Sequence, residues 1–170
     1  MRVDDLPVVA GWLSEAHVAE WWLSGSSIER EMEDLRRSVT GEQPVSVRVV
    51  IHEDGPIGWC QWYRCGDDPD WAGDIGAGPD DIGMDYGIGI AGSTRKGLGT
   101  LLVGEMVKSI RAEHPDVSIF ADPDERNIAS RRVLEKNGFE LMTVKPIPSE
   151  PTDDPMAVYR LSPPVSASGR

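Results

Sequence analysis

The 170-residue chain is short of positive charge, of cysteine and of long apolar runs, and each shortage removes a class of function. Its 17 lysines and arginines stand against 29 aspartates and glutamates, a net charge of −12, so a nucleic-acid backbone is repelled rather than held. No apolar run approaches the roughly 20 residues that cross a bilayer, and no membrane partner is expected. The acidic start, Met1-Arg2-Val3-Asp4-Asp5, lacks the apolar region of a secretory signal. Two cysteines, Cys60 and Cys65, make no disulfide framework; free thiols in a cytoplasmic protein are the expectation. The three histidines, His17, His52 and His114, are too scattered for metal spacing, so they are read as surface or packing residues and no metal is expected.

Aspartate, by contrast, is concentrated. Residues 67–85, DDPDWAGDIGAGPDDIGMD, hold seven aspartates and neither Lys nor Arg. Between Arg64 and Lys108 the only cationic side chains are Arg95 and Lys96, and these stand directly before a pair of glycines. An acidic field of this kind suits a cationic ligand, although solubility alone would also account for it.

Periodicity organises the chain. Asp5 to Trp22 and Ile28 to Ser38 read as amphipathic helices. Val45 to His52 alternates and is β-branched; the turn signal Glu53-Asp54-Gly55-Pro56 returns the chain through Ile57 to Tyr63, a hairpin. Residues 66–81 read as a long acidic loop, Ile82 to Ile90 as a strand, Leu98 to Ala112 as a helix and Val117 to Ala121 as a strand. Two strands joined through a helix should be parallel neighbours. Asn127 to Lys136 is a further helix capped at Asn137-Gly138, and Phe139 to Ile147 and Ala157 to Leu161 are strands around an acidic, Pro-rich loop. The expectation is one α/β domain over 1–162, antiparallel at first with one βαβ crossover, and a disordered tail over 163–170.

The glycine turn sits between strand and helix in TRKGLGTLLV, residues 94–103. Two familiar phosphate motifs nearby fail. Gly87-Ile88-Gly89-Ile90-Ala91-Gly92 spells GxGxxG but runs along a strand; Gly92 to Gly97 spells GxxxxG, but Leu98 stands where Lys is needed. A strand–turn–helix anion site remains physically sound. Gly97 and Gly99 allow close backbone approach, and the helix N-terminus favours negative charge.

Arg95-Lys96-Gly97-Leu98-Gly99-Thr100 resembles the pyrophosphate loop of the Gcn5-related N-acetyltransferase (GNAT) superfamily, which uses acetyl-CoA. Asn127-Ile128-Ala129-Ser130, continuing to Leu134-Glu135-Lys136-Asn137-Gly138-Phe139, resembles that superfamily's following motif, NxxAxxxYExxGF. DLPVVAGWLSEAHVAEWW, PIGWCQWY, GMDYGIGI and ADPDERN further resemble the aminoglycoside 6'-N-acetyltransferases. The resemblance implies a mixed, mostly antiparallel sheet with one splayed parallel strand pair and flanking helices. Three departures stand out: Thr94 where Gln or Arg is frequent, Leu134 where a Tyr often protonates the leaving thiolate, and a chain start where the first strand should be ending.

That likeness implies acetyl transfer to the 6'-amine of an aminoglycoside, with antibiotic resistance as its consequence. Asp85, an ionisable group among apolar and small strand residues, resembles the general base. Gly87 and Gly89 fit a bulge or a close backbone approach at the splay; Gly87 and Ile88 would lie there, where a strand N–H can face the thioester oxygen. Together with Arg95, Lys96, Gly97, Leu98, Gly99, Thr100 and Asn127 they form the expected CoA site. Direct transfer is expected, not an acyl-enzyme on Cys60 or Cys65. Trp22 resembles the family's aromatic wall. Gln61 and Tyr63, two apart on a strand, share a face. Asp70 and Trp71 come from the acidic loop, Asp122 from the carboxyl end of the parallel strand, and Asp154 from the last loop; with Asp85 these are the expected amine-binding residues. Asp67, Asp68, Asp80 and Asp81 are read as solvated. A monomer or homodimer is expected. Two alternatives stay open: the same fold acting on a lysine-type amine in siderophore synthesis or on a protein N-terminus, and a non-catalytic aminoglycoside- or acyl-CoA-binding module.

Overall fold

The expected first helix is two. In the structure, a computed structural model that describes residues 1–53, 55–93 and 97–164, α1 spans Leu6–Leu13 and α2 spans Ala16–Trp22. The chain breaks between them because the Ser14 hydroxyl bonds back to the Ala10 carbonyl at 3.0 Å and Glu15 turns extended, at ψ 130°. The break lets two indoles converge on a third. Trp12 stacks on Trp59 with centroids 5.9 Å apart, and Trp22 packs against the same ring at 4.5 Å. A third helix, α3 (Ile28–Val39), starts on a Ser27 cap and completes this layer.

The acidic stretch also departs from expectation. It is not a loop throughout: a 3₁₀ turn over Cys65–Asp67 leads into α4, Pro69–Ile75. Its stop and start signals are complete. Asp68 caps the Trp71 amide at 3.1 Å, Pro69 opens the helix and Gly76 closes it in the left-handed conformation.

The strands are β1 (Ser46–His52), β2 (Gly55–Arg64), β3 (Ile82–Ile88), β4 (Ile119–Ala121), β5 (Glu140–Lys145) and β6 (Met156–Leu161), in the order β1-β2-β3-β4-β6-β5. Helix α5 (Leu98–Glu113) connects β3 to β4, and α6 (Ile128–Lys136) follows β4. All neighbours are antiparallel except β3 and β4, as the βαβ reading requires. That parallel pair is joined at only two positions, Ile82↔Ile119 and Gly83↔Phe120. Beyond them β3 stays with β2 as far as Ile88, while β4 follows β6. A wedge opens between the two. Among the described residues no strand lies outside β1; the Met1 ammonium donates to the Val47 carbonyl there at 3.0 Å. No helix of the described residues is long and apolar enough to cross a membrane. Asp54, and the expected tail from residue 165 on, lie outside the described residues.

Strand alternation sorts the core. One face of the sheet carries Met84, Ile119, Ala121 and Tyr159 beneath Leu102, Met106, Ile110 and Leu134 of α5 and α6. The other carries Trp59 under α1–α3, and Phe120 and Val158 under Trp71 and Ile75 of α4. The helices on that second face leave a recess between them, over Gln61, Tyr63 and Asp85.

Of the two expectations for Gly87 and Gly89, a bulge or a close approach, the bulge is absent, since register with β2 is unbroken from Gly58↔Ile88 to Arg64↔Ile82, and the close approach is present. Gly87 within β3 and Gly89 just past it make room for indoles. A β-carbon on Gly87 would meet Trp59 at 2.9 Å, and one on Gly89 would meet Trp12 at 2.1 Å. Gly89→Ala should therefore push Trp12 off Trp59 and cost about 1–3 kcal/mol of stability. A urea midpoint equal to wild type would contradict this packing role.

Candidate active site

Asp85 and Gln61 face each other across β3 and β2, and Gln61 Nε2 donates to Asp85 Oδ2 at 2.9 Å. Asp122, just past β4, accepts from Trp71 Nε1 at 2.9 Å. Trp22 Nε1 and the Ser26 hydroxyl donate to the Glu31 carboxylate at 2.9 and 2.6 Å. Glu150 approaches from the β5–β6 loop. Asp85, Asp122, Glu31 and Glu150 line one cleft of about 280 Å³, which also reaches Asn127 and Ser130 of the next helix. A neighbouring recess of about 450 Å³ shares Asp85, Glu31 and Glu150 and adds Asp34, Asp67 and Asp68. Among the described residues lining either cavity there is no lysine or arginine.

Crowded carboxylates resist ionising. Burial pushes the Asp85 carboxyl above its ordinary value and Glu31 adds to this, against hydrogen bonds from Gln61 and Tyr63. Burial, then Glu150 and Asp85, raise Asp122 well above the usual carboxylate range, against the Trp71 hydrogen bond. Glu150 is pushed up to about 7 by burial, with Asp85, Asp68 and Glu31 adding repulsion. A cation entering this space gains from every one of them.

The second half of the site is a groove of about 790 Å³ along the wedge, lined by Gly87 and Ile88 of β3, Gly97, Gly99 and Thr100 at the start of α5, and Asn127 and Ser130 of α6. The N-cap of α5 is Gly97, left-handed at φ 81°, with no side chain capping it and open space where a β-carbon would stand. A diphosphate fits such an uncapped helix start. Among the described residues the β3 edge from Met84 to Ile88 has no strand partner on the wedge side, so the alternate amides that point there are available to an extended ligand. The residues present therefore fit a CoA molecule. His17 Nε2 lies 3.1 Å from the Ile88 carbonyl and fixes the end of that strand.

Trp22, Gln61, Tyr63, Trp71, Asp85 and Asp122 thus come together, as do Gly87, Ile88, Gly97, Gly99, Thr100 and Asn127. Trp71 does so as a buried wall at 4% exposure, with its indole N–H already committed to Asp122. Leu98 is half-buried and lies outside the groove lining; Thr94, Arg95 and Lys96 fall outside the described residues. Asp70 sits on the exposed side of α4, away from both acidic cavities, and Asp154 is paired with Arg126 at 2.8 Å, which also binds the buried Asp124. Asp67, Asp68 and Asp81 are not merely solvated. The first two line the recess, and Asp81 ties β3 to the Ser118 amide at 2.8 Å. Asp80 does face outward, paired with Arg64. Both thiols are buried and free, Cys60 pushed up by burial to about 11 and Cys65 to about 12, which disfavours a thiolate nucleophile. Leu134 is fully buried core.

Glu31, Glu150 and Ser130 escaped the sequence reading. Glu31 had a signal: it shares a helical face with Ile28 and Leu35, a charge inside an apolar stripe. Glu150 had none, because only the tertiary fold carries its loop to Asp85.

A family model described as an acetyltransferase (GNAT) domain matches residues 2–144. The aminoglycoside N(6')-acetyltransferase type 1 of Klebsiella pneumoniae is 28% identical over 155 residues, 89% of this chain and 77% of that protein. The lysine N-acyltransferase MbtK of Mycobacterium tuberculosis is 27% identical over 98% of this chain and 77% of its own length. Among solved structures, AAC(6')-Ib in complex with ribostamycin and coenzyme A superposes with a TM-score of 0.81 at 28% identity, covering 95% of this chain and 90% of that one.

A carboxyl whose pKa is higher folded than unfolded makes the native state hold more protons, so stability falls as pH rises through the interval. For Glu150 the interval runs from its ordinary 4.5 to about 7. Glu150→Gln removes this penalty. The melting temperature of the variant minus that of wild type should therefore climb between about pH 5 and about pH 8. A difference that stays constant would place Glu150 in open solvent, and one that shrinks would mean that folding stabilises its carboxylate; either contradicts the raised value.

Proposed function

The chain belongs to the acetyltransferase (GNAT) domain family, and on that premise we propose that it moves an acetyl group from acetyl-CoA to the 6'-amine of an aminoglycoside. One observation carries the choice of acceptor: a recess lined by several carboxylates and, among its described lining residues, by no cation, opening beside the groove that fits CoA. A substrate with several ammonium groups matches that field; a single amine leaves most of it unanswered. When bound, acetyl-CoA supplies an acetyl carbon already activated as a thioester.

The chain's own residues then have three tasks. Asp85 takes a proton from the acceptor ammonium and frees its lone pair. An arriving cation lowers the raised Asp85 pKa, so the carboxylate becomes available when its substrate is present. Gln61 holds the Asp85 carboxylate in place at 2.9 Å, and Trp22 and Tyr63 give the sugar an aromatic wall. The β3 amides that point into the wedge, by alternation those of Tyr86 and Ile88, would be placed for the thioester oxygen, and the uncapped start of α5 would take the diphosphate. With this reading go a cytoplasmic location, where acetyl-CoA is at hand, and a resistance phenotype in a host exposed to the drug.

The likeness to a lysine N-acyltransferase over nearly the whole chain favours a second reading, transfer to a lysine-type amine. A thiol-release assay separates the two. Kanamycin or tobramycin should give saturable CoA release, lysine-type amines little, and Asp85→Asn should lower kcat about 10²–10⁴-fold. Release with lysine-type amines alone would install the second reading, and release with neither would remove both.

A further inference from the structure

β3 presents Asp85 on one face of the sheet and, by alternation, Tyr86 on the other. Both reach the wedge: Asp85 and Tyr86 line the acidic cleft, and Tyr86 also lines the CoA groove. Tyr86 Oη lies 2.7 Å from the Ser130 hydroxyl, on the first turn of α6, and 3.4 Å from the Ser130 carbonyl. Ser130 is itself oriented by the helix cap, its amide donating to Asn127 Oδ1 at 3.1 Å. Tyr86, Asn127 and Ser130 are shared by the cleft and the groove, so an acyl group spanning the two passes them.

We infer that Tyr86, oriented by Ser130, is the acid that protonates the departing CoA sulfur, opposite the base Asp85. The inference rests on the acetyl-transfer reading above. In the transfer a bond forms from the amine nitrogen to the acetyl carbon while the carbon–sulfur bond breaks. An electron pair is left on sulfur and a surplus proton on nitrogen. Tyr86 gives its phenolic proton to sulfur and regains one from that nitrogen, so the step balances without any outside reagent. The ammonium's first proton stays on Asp85 until solvent takes it. Burial, with Asp85 and Tyr159 nearby, raises the phenol's pKa and outweighs the Ser130 hydrogen bond, so Tyr86 holds its proton at neutral pH. Leu134, on the same helix as Ser130, is wholly buried and has no proton to give.

Binding tests the assignment apart from turnover. CoA and desulfo-CoA, which lacks the thiol, are titrated calorimetrically at about pH 9, where a thiol of ordinary pKa is largely ionised. Wild type should prefer CoA by about tenfold, through the phenol's hydrogen bond to the thiolate. Tyr86→Phe should bind both ligands alike, with desulfo-CoA affinity and melting temperature kept. Ser130→Ala should lose part of the preference and Ser130→Thr should keep it. In steady state Tyr86→Phe should lower kcat about tenfold or more with little change in the KM for acetyl-CoA. Wild type binding neither ligand would overturn the acetyltransferase reading and this inference with it. A thiolate preference that persists in Tyr86→Phe, in a protein that transfers acetyl groups, would overturn the inference alone.

Discussion

Two pairs of residues, Ile82 with Ile119 and Gly83 with Phe120, hold β3 to β4, and the site depends on their being no more than two. The junction is firmly pinned at its base. Asp81 takes the Ser118 amide at 2.8 Å and the Ile82 amide returns to the Ser118 carbonyl at 3.0 Å. Beyond it the two strands have different loyalties. β3 keeps its full register with β2, while the chain after β4 stays with β6 through the Ala157 amide on the Pro123 carbonyl at 2.8 Å. The wedge is therefore a consequence of competing hydrogen-bond partners, and it frees β3 backbone groups that a continuous sheet would consume. Alternation along that strand then delivers one carboxylate and one phenol to opposite sides of the same gap.

The acidic recess is a local conflict that the fold tolerates. Burial first, and then repulsion between the carboxylates, raises their pKa values and opposes compact packing. Elsewhere some acids are paired, Glu33 and Glu42 sharing Arg36 at 2.8 and 3.1 Å, and within the cleft itself Asp124 is bound by Arg126 at 2.6 Å.

Much of this was legible from residues alone because it depends on local pattern. Period-2 alternation located the hairpin and β3, the run after Gly97 located α5, and Asn137-Gly138 closed α6, with Gly138 at φ 83°. Asp85 stood out as a charge inside a strand. What failed was set by competition or by distance. The acidic density of residues 66–81 concealed the cap and proline that start α4, and one serine hydroxyl divided the first helix. Gly89 answers to a tryptophan more than seventy residues earlier and Gly87 to one on the neighbouring strand β2, which no local window contains. Glu150 and Glu31 reach Asp85 only when the β5–β6 loop and α3 dock over the sheet.

The most direct test is a crystal structure of the protein with CoA. The expected result has the diphosphate at the amides following Gly97, the pantetheine arm beside the unpaired edge of β3 from Met84 to Ile88, and the sulfur between Asp85 and Tyr86. A sheet in which β3 and β4 stay paired past Gly83 and Phe120, or CoA bound away from that edge, would contradict it.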